Sequence, residues 1–473
     1  MGMLINIDNG GTLTDICVLK DNNFYATKTL TTPYDLSKCF FDGLKDVSKA
    51  VYGQEDVTRL LAEVEHIRYS TTQGTNAIVE RKGPKLGMVI NKGNADLIKS
   101  MKAKDPDLFT FLVGDRVEEI NLADLKDTES AAETTTAITR LTARGANRVV
   151  VCFDTDNATQ YESQFKRIAF NNYPRHLLGA VPMLFASELA EDVSANRRGW
   201  TALVNSFLHP AMESFLYNAE NRLREYRTKN PLLIFRNDGD ASRVAKTIAL
   251  KTYSSGPRGG MEGVKEFSKQ YKLTDVISMD IGGTTTDIGH VVNNNVEESR
   301  RGSVEGVPIS FGLCEIASPG VGGSSILSIH EKNIQVGPES VGAVPGPASF
   351  GRGGKESTMT DVNLLLGLLD PQTFFGGGLK LDIDRARAAI EENIASPLGV
   401  SSDEALIKLR DAYDKKVSGE ITQFAAVTDE TVLLAFGGAG PMSACGIADK
   451  AGIKTVFIPK TAAVFSAYGI GSC

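Results

Sequence analysis

Two octapeptides hold the residues best suited to chemistry: Asp8-Asn9-Gly10-Gly11-Thr12-Leu13-Thr14-Asp15 and Asp280-Ile281-Gly282-Gly283-Thr284-Thr285-Thr286-Asp287. Each follows an apolar run, Leu4-Ile5-Asn6-Ile7 or Val276-Ile277-Ser278-Met279, and leads into another. A strand, a Gly-Gly turn and a returning strand predict a hairpin whose tip offers backbone N–H groups and small hydroxyls to phosphate oxygens. Asp8 and Asp280 fall at the strand ends, where a carboxylate beside a polyphosphate holds Mg²⁺ through its water shell or orients a nucleophile. Asp15 and Asp287 are placed to do the same or to cap the turn. One such turn is commonplace, but two near-identical copies predict two facing halves.

Three further stretches could meet a ligand. In Ser70-Thr71-Thr72-Gln73-Gly74-Thr75-Asn76, hydroxyls and an amide stand between a strand and a helix, suited to polar ligand groups at the helix N-terminus or to capping by Thr72 or Thr75. Ser254 to Gly260 opens another helix, with Arg258 either clamping an anion or solvated. Leu433 to Pro441 reads as a buried strand leading into the Gly437-Gly438 turn, where missing side chains would let a flat ring such as adenine approach, or which is simply a tight connection.

The elements that position these residues alternate strand and helix, the pattern of an α/β protein. After Thr32-Pro33, apolar residues at Cys39, Phe40, Leu44, Val47 and Val51 predict an amphipathic helix. Residues 94–145 are charged and weakly periodic, expected to be a helical or loop-rich insertion. Arg148 to Phe153 and Val181 to Phe185 read as buried strands, and Arg197 to Arg227 as a long helix crossing between the halves. The glycine-rich stretches Pro319 to Ser325, Val336 to Ser340, Pro345 to Pro347 and Gly351 to Gly354 are expected as site-lining loops.

At 473 residues, 42% apolar and 23% charged, the chain has the composition of a soluble globular protein of two to four domains. A net charge of −7 gives no basic footprint for nucleic acid or an anionic membrane. Six scattered cysteines without a CxxC pair suggest neither a zinc site nor a disulfide framework, so a reducing cytoplasm is expected. The five histidines (His66, His176, His209, His290, His330) form no ligand pattern and are expected at the surface or in the core. No leader is expected before the first motif, and no apolar run reaches membrane-spanning length.

Paired Asp-x-Gly-Gly-Thr-x-Thr-Asp loops with a late Gly-Gly-x-Gly turn resemble the fold shared by actin, sugar and acetate kinases and the large heat-shock chaperones. That resemblance implies two ribonuclease-H-like lobes with an ATP cleft between them, here expected as 1–190 and 191–473. More closely, the chain resembles the A-type, ATP-binding subunit of the hydantoinase/oxoprolinase family. The matching stretches are Asp8 to Asp15, Thr71-Thr72, Thr75-Asn76-Ala77, Ser255-Gly256-Pro257, Asp280 to Asp287, Gly337 to Ser340, Pro345 to Ala348, Gly351 to Gly354, Thr360-Asp361 and Ala435 to Pro441.

The resemblance implies ATP-driven activation of a carbonyl in a small cyclic amide or ketone, through a phosphorylated oxygen. It implies ATP phosphates on Gly10, Gly11, Thr12, Thr14, Gly282, Gly283, Thr284 and Thr285, and adenosine at Gly437 and Gly438. Mg²⁺ would lie near Asp8 and Asp280, Asp15 and Asp287 would complete the catalytic carboxylates, and substrate would meet Thr71, Thr72, Thr75 and Asn76. A B-type partner subunit, and so a hetero-oligomer, is expected. The chain departs from the family pattern at Tyr69, Ser187 and Ala317, where histidine is common, at Asn9, Val344 and Ser349, and in ending at Cys473 where typical A-type subunits continue. A plain small-molecule kinase and an ATP-binding regulatory or assembly subunit remain as alternatives.

Overall fold

The computed structural model describes residues 2–472 apart from 22, 33, 127–129, 175, 178, 179 and 375–377; Pro33 and Cys473 lie outside the described residues. The first helix start nevertheless has a visible cause. Asp35 accepts from the N–H of Ser37, and Gly53 at φ 76° closes helix Leu36–Tyr52, whose face of Cys39, Phe40, Leu44 and Val47 is buried.

Two sheets repeat one plan. In the first, strand Met3–Asn9 is central, antiparallel to Leu13–Lys20, which pairs with Asn23–Leu30; on its other side it runs parallel to Val64–Thr71, which pairs in parallel with Leu232–Phe235. In the second, Asp275–Ile281 is antiparallel to Thr286–Val292, followed by Asn295–Val296, and parallel to Val432–Phe436, followed by Thr455–Phe457. Both read third, second, first, fourth, fifth, the order of a ribonuclease-H-like lobe. Strands Leu232–Phe235 and Ala241–Arg243 belong to the first sheet, beyond the 190/191 division expected from the sequence.

A four-stranded parallel sheet of Val117–Ile120, Leu86–Asn91, Arg148–Val151 and Met183–Phe185 stands beside the first lobe. Its strand Val117–Ile120 lies inside the stretch expected as a helical or loop-rich insertion, because four residues with two glutamates give too short an apolar signal to register.

The long helix, Ala195–Glu225, does not cross between the halves. Its apolar residues, Trp200, Leu203, Phe207, Leu208 and Phe215 among them, join the first-lobe core under the sheet. Among the described elements that touch strands of both sheets are helix Ser255–Tyr271, the short helix Ala462–Val464, and helix Phe465–Ile470, which reaches the second sheet through Phe465 on Phe436 and Ser466 on Asp280. Val336 to Ser340, expected as loop, is the end of strand Asn333–Ser340, paired antiparallel with Ser325–His330. Its Gly337-Pro338 pair hid the strand.

An excursion of the second half, residues 297–315, buries Val304, Val307, Ile309 and Leu313 in the first-lobe core. Truncating Ile309 to alanine is therefore expected to cost about 2–5 kcal/mol, as for an interior residue, rather than the few tenths of a surface ribbon; chemical denaturation of the purified variant measures it.

Candidate functional site

Each octapeptide forms the hairpin tip its sequence predicts. The N–H of Gly10 donates to the Leu13 carbonyl at 2.9 Å, and that of Gly282 to Thr285 at 3.0 Å. In register, Asp8 stands directly opposite Asp15 and Asp280 opposite Asp287, so each hairpin carries a like-charged cross-strand pair, an arrangement that opposes folding unless something neutralises it.

The two tips face one another. A Cβ placed on Gly283 would lie 3.9 Å from the Thr12 hydroxyl and 3.6 Å from that of Ser324. One on Gly11 would lie 3.4 Å from the Asn76 side-chain nitrogen. The end-of-strand carboxylates rest against glycines: a Cβ on Gly256 would stand 2.8 Å from Asp8 Oδ1, and one on Gly437, at φ 83°, 2.2 Å from Asp280 Oδ1. Glycine at 437 thus admits Asp280 as its first neighbour, while Gly438 beside it faces open space.

Hydroxyls and one lysine hold the carboxylates. Ser70 donates to Asp8 at 2.5 Å, Ser466 to Asp280 at 3.1 Å and Ser318 to Asp287 at 2.5 Å, while Lys28 pairs with Asp15 at 2.7 Å. Burial still dominates their titration. It pushes Asp8 up to about 6, against the Ser70 hydrogen bond, and Asp287 up to about 6. Asp280 rises to about 8 through burial and then repulsion from Asp287 and from Asp8 of the other lobe. Asp15 is raised by burial, with Lys28 pulling it back.

This surplus of negative charge suits a divalent cation. Among the described residues no three His, Cys, Asp or Glu side chains are gathered to cage a metal; Asp8 and Asp280 are the carboxylates that could hold one through its waters. Mg²⁺ chemistry of that kind neutralises charge on a transferring phosphoryl group.

Strand alternation removes some expected ligands, because neighbouring residues point to opposite faces. Thr14, beside Asp15, is buried with its hydroxyl among Asn9, Thr31 and Cys39, and its counterpart Thr286 donates to the Val321 carbonyl. Thr71, beside Ser70, is buried against Asn9 and Ser255. Neither faces the cleft. Thr72 donates to the Asn9 carbonyl, and Thr75 accepts from the N–H of Ser254; of the four residues expected at substrate, Asn76 alone is placed against a glycine of the tips.

Arg258 does not lie in solvent. It is buried and ion-paired with Glu262 and Glu298. At the departures from the family pattern, Tyr69 is buried between Phe40 and Phe215, Ser187 donates twice to buried Glu162, and Ala317 pairs with Ile288 in the second sheet. Sequence reasoning missed Ser318, Ser466 and Lys28, and it singled out the stretches that hold Ser70 and Gly256 without seeing that both meet Asp8. Ser70 was findable, since it pairs in register with Asp8 and precedes the threonine cluster; Ser466 lies far along the chain from its partner and leaves no local signal.

Residues 4–169 match the hydantoinase/oxoprolinase N-terminal region, and residues 198–473 match hydantoinase/oxoprolinase itself. The chain belongs to the hydantoinase/oxoprolinase family. It is 28% identical to the acetophenone carboxylase gamma subunit of Aromatoleum aromaticum, over 98% of this chain and 67% of that one. With 5-oxoprolinase 1 of Arabidopsis thaliana it shares 27% identity over 98% of this chain and 41% of the relative. The crystal structure of ATP-dependent caprolactamase from Pseudomonas jessenii superposes with a TM-score of 0.80 at 26% identity, covering 99% of this chain and 70% of that one. Nucleotide-free acetone carboxylase superposes at 0.85 with 24% identity and the same coverages, which shows the fold. The two-lobed α/β architecture expected from the paired loops is the one observed, with the strand order of the first sheet repeated in the second. Among the described residues no helix is long and apolar enough to cross a membrane.

Two outcomes follow for the cleft. Gly437→Ala forces a side chain onto Asp280 at positive φ and is expected to lower stability by more than about 1 kcal/mol in chemical denaturation. Carboxyls raised above their usual 3.8 bind protons more tightly folded than unfolded, so their contribution is full below that value and is lost as pH rises through about 6 to 8. In chelator, Tm is therefore expected to fall between pH 5 and 8, and Asp280→Asn to flatten that fall.

Proposed function

We propose that this chain binds Mg·ATP between its two hairpins and transfers the γ-phosphoryl group to the carbonyl or enol oxygen of a small cyclic amide or ketone, as the ATP-binding subunit of a hydantoinase/oxoprolinase/carboxylase-type complex. The observation that carries this reading is the meeting of the two glycine tips, Thr12 against Gly283, with four part-buried carboxylates behind them.

Backbone N–H groups and hydroxyls at Gly11, Thr12, Gly283, Thr284 and Thr285 would hold the phosphates, on turns that the N–H groups of Gly10 and Gly282 close. Asp8 and Asp280 would hold Mg²⁺ through its waters. Asp15, tied to Lys28, and Asp287, tied to Ser318, stand behind them as the remaining catalytic carboxylates. Gly437 and Gly438 lie at the turn where adenosine would pack, Gly438 offering the open space. Asn76, on helix Gln73–Val79 against the first tip, would meet the reacting carbonyl, with Thr72 and Thr75 shaping the turn beneath it.

Transfer forms a new phosphorus–oxygen bond to the substrate oxygen as the bond to ADP breaks, converting an unreactive amide or ketone into an activated one. Positioning and charge neutralisation supply most of such a rate enhancement. The relatives' names support the class: acetophenone and acetone are ketones, whereas caprolactam and 5-oxoproline are cyclic amides. Several relatives are named as alpha, beta or gamma subunits, which supports a partner subunit of the B type here.

Phosphate release from Mg·ATP by the purified chain, alone and with its B-type partner, across hydantoin, 5-oxoproline, small lactams, and ketones with bicarbonate, tests the reading. One compound is expected to stimulate release at least tenfold, and Asp280→Asn to lower the stimulated rate about a hundredfold. A stable phosphorylated product without need of a partner would assign small-molecule kinase chemistry instead. Tight nucleotide binding with no stimulated turnover under any condition would contradict catalysis and leave a regulatory or assembly subunit.

A further inference from the structure

A ribbon leaves the second sheet after Asn295–Val296 and returns at Ile316–Ala317, which pairs with Ile288 and Gly289. Within it Glu298–Ser299 pairs with Leu313–Cys314, and Ser303–Val304 with Val307–Pro308, across a turn at Glu305 and Gly306 with φ of 48° and 79°. A two-stranded ribbon has little stability of its own. This one draws its stability from the opposite lobe.

Val304, Val307 and Ile309 are each 0% exposed in the first-lobe core, against the long helix Ala195–Glu225. The N–H of Ser310 donates to the Thr201 hydroxyl of that helix at 2.9 Å, the Tyr253 hydroxyl donates to Glu305 at 3.2 Å, and Arg301 pairs with Asp192 at 3.7 Å. The same long helix packs on helix Gln73–Val79, which carries Asn76.

Both ends of the ribbon reach the supports of the phosphate hairpins. At one end Glu298 pairs with Arg258, one turn into the helix whose Gly256 abuts Asp8. At the other, Ser318 donates to Asp287, and the next residue, Pro319, accepts from the N–H of Thr286.

We propose that residues 297–318 form a coupling ribbon, with Ser318 a positioning residue: the seating of its tip on the long helix sets where Ser318 holds Asp287. A ligand beside Asn76 bears on the helix that seats the tip, so occupancy of the first lobe is read at the second hairpin. The means of transmission is physical continuity, since a close-packed tip and a hydrogen-bonded ribbon move together rather than compress. The inference rests on the proposed function only in taking the hairpins as the nucleotide site.

Hydrogen exchange on the ligand-free chain tests the ribbon without relying on nucleotide. Thr201→Val removes the hydroxyl that Ser310 uses while keeping the helix, and Tyr253→Phe is a second, milder loosening of the same tip. Either variant is expected to speed exchange at least fivefold at residues 303–310 and also at 316–321 and 286–289, leaving the pair Ser325–His330 and Asn333–Ser340 unchanged. Ser318→Ala is expected to diminish the effect of Thr201→Val on 286–289, where the backbone pairing of Ile316–Ala317 remains, but not on the tip. Faster exchange at the tip with 286–289 unmoved would overturn the coupling, as would an undiminished effect in the Ser318→Ala background. Calorimetric titration of Mg·ADP into the same wild-type sample separates the two readings: absence of binding contradicts the proposed function, while the exchange result still decides the ribbon.

Discussion

The cleft is organised by repulsion. Register sets Asp8 against Asp15 and Asp280 against Asp287, and the meeting of the tips brings the two pairs within electrostatic reach of each other. Among the described residues only Asp15 of the four has a lysine within ion-pair distance; serine hydroxyls serve the other three. In the proposed function a cation and a polyphosphate would convert this mutual repulsion into binding.

The small residues around the cleft have the same origin. Gly256 and Gly437 are the positions where the chain passes within van der Waals reach of a carboxylate, and any side chain there would occupy the aspartate's own place. The glycine pair at 437 and 438 therefore has two reasons in two residues, a steric one imposed by Asp280 and an open face beside it. The helices Ser255–Tyr271 and Phe465–Ile470 touch both sheets and carry Gly256 and Ser466 to opposite carboxylates, so the packing between the lobes and the placement of the aspartates share the same two elements.

Much of this was legible in the sequence because hairpin tips are local. Two aspartates, a glycine pair and flanking apolar runs specify strand, turn and return with no help from the rest of the chain, and the repetition implied two lobes. What was not legible depends on long-range or alternating geometry. Thr14 and Thr71 looked like ligands by type, yet a strand's period of two turns each away from the aspartate or serine beside it. Ser466 meets Asp280, and the tip of the 297–315 ribbon enters the other lobe's core, through contacts that leave no periodic trace. The long helix Ala195–Glu225 was visible as a helix, but its partners were not: a residue stripe shows that a face is buried, not what buries it.

The most direct test of the account is a crystal structure of the chain with Mg²⁺ and a non-hydrolysable ATP analogue. The account predicts phosphates lodged between Gly10–Thr12 and Gly282–Thr285, the metal beside Asp8 and Asp280, and the base against Gly438. Nucleotide seated instead in the wide groove between strand Asn333–Ser340 and helix Ser402–Phe424, a space of about 1820 Å³ lined by Ile334, Val336, Ile407 and Lys415, with the paired tips empty, would contradict it.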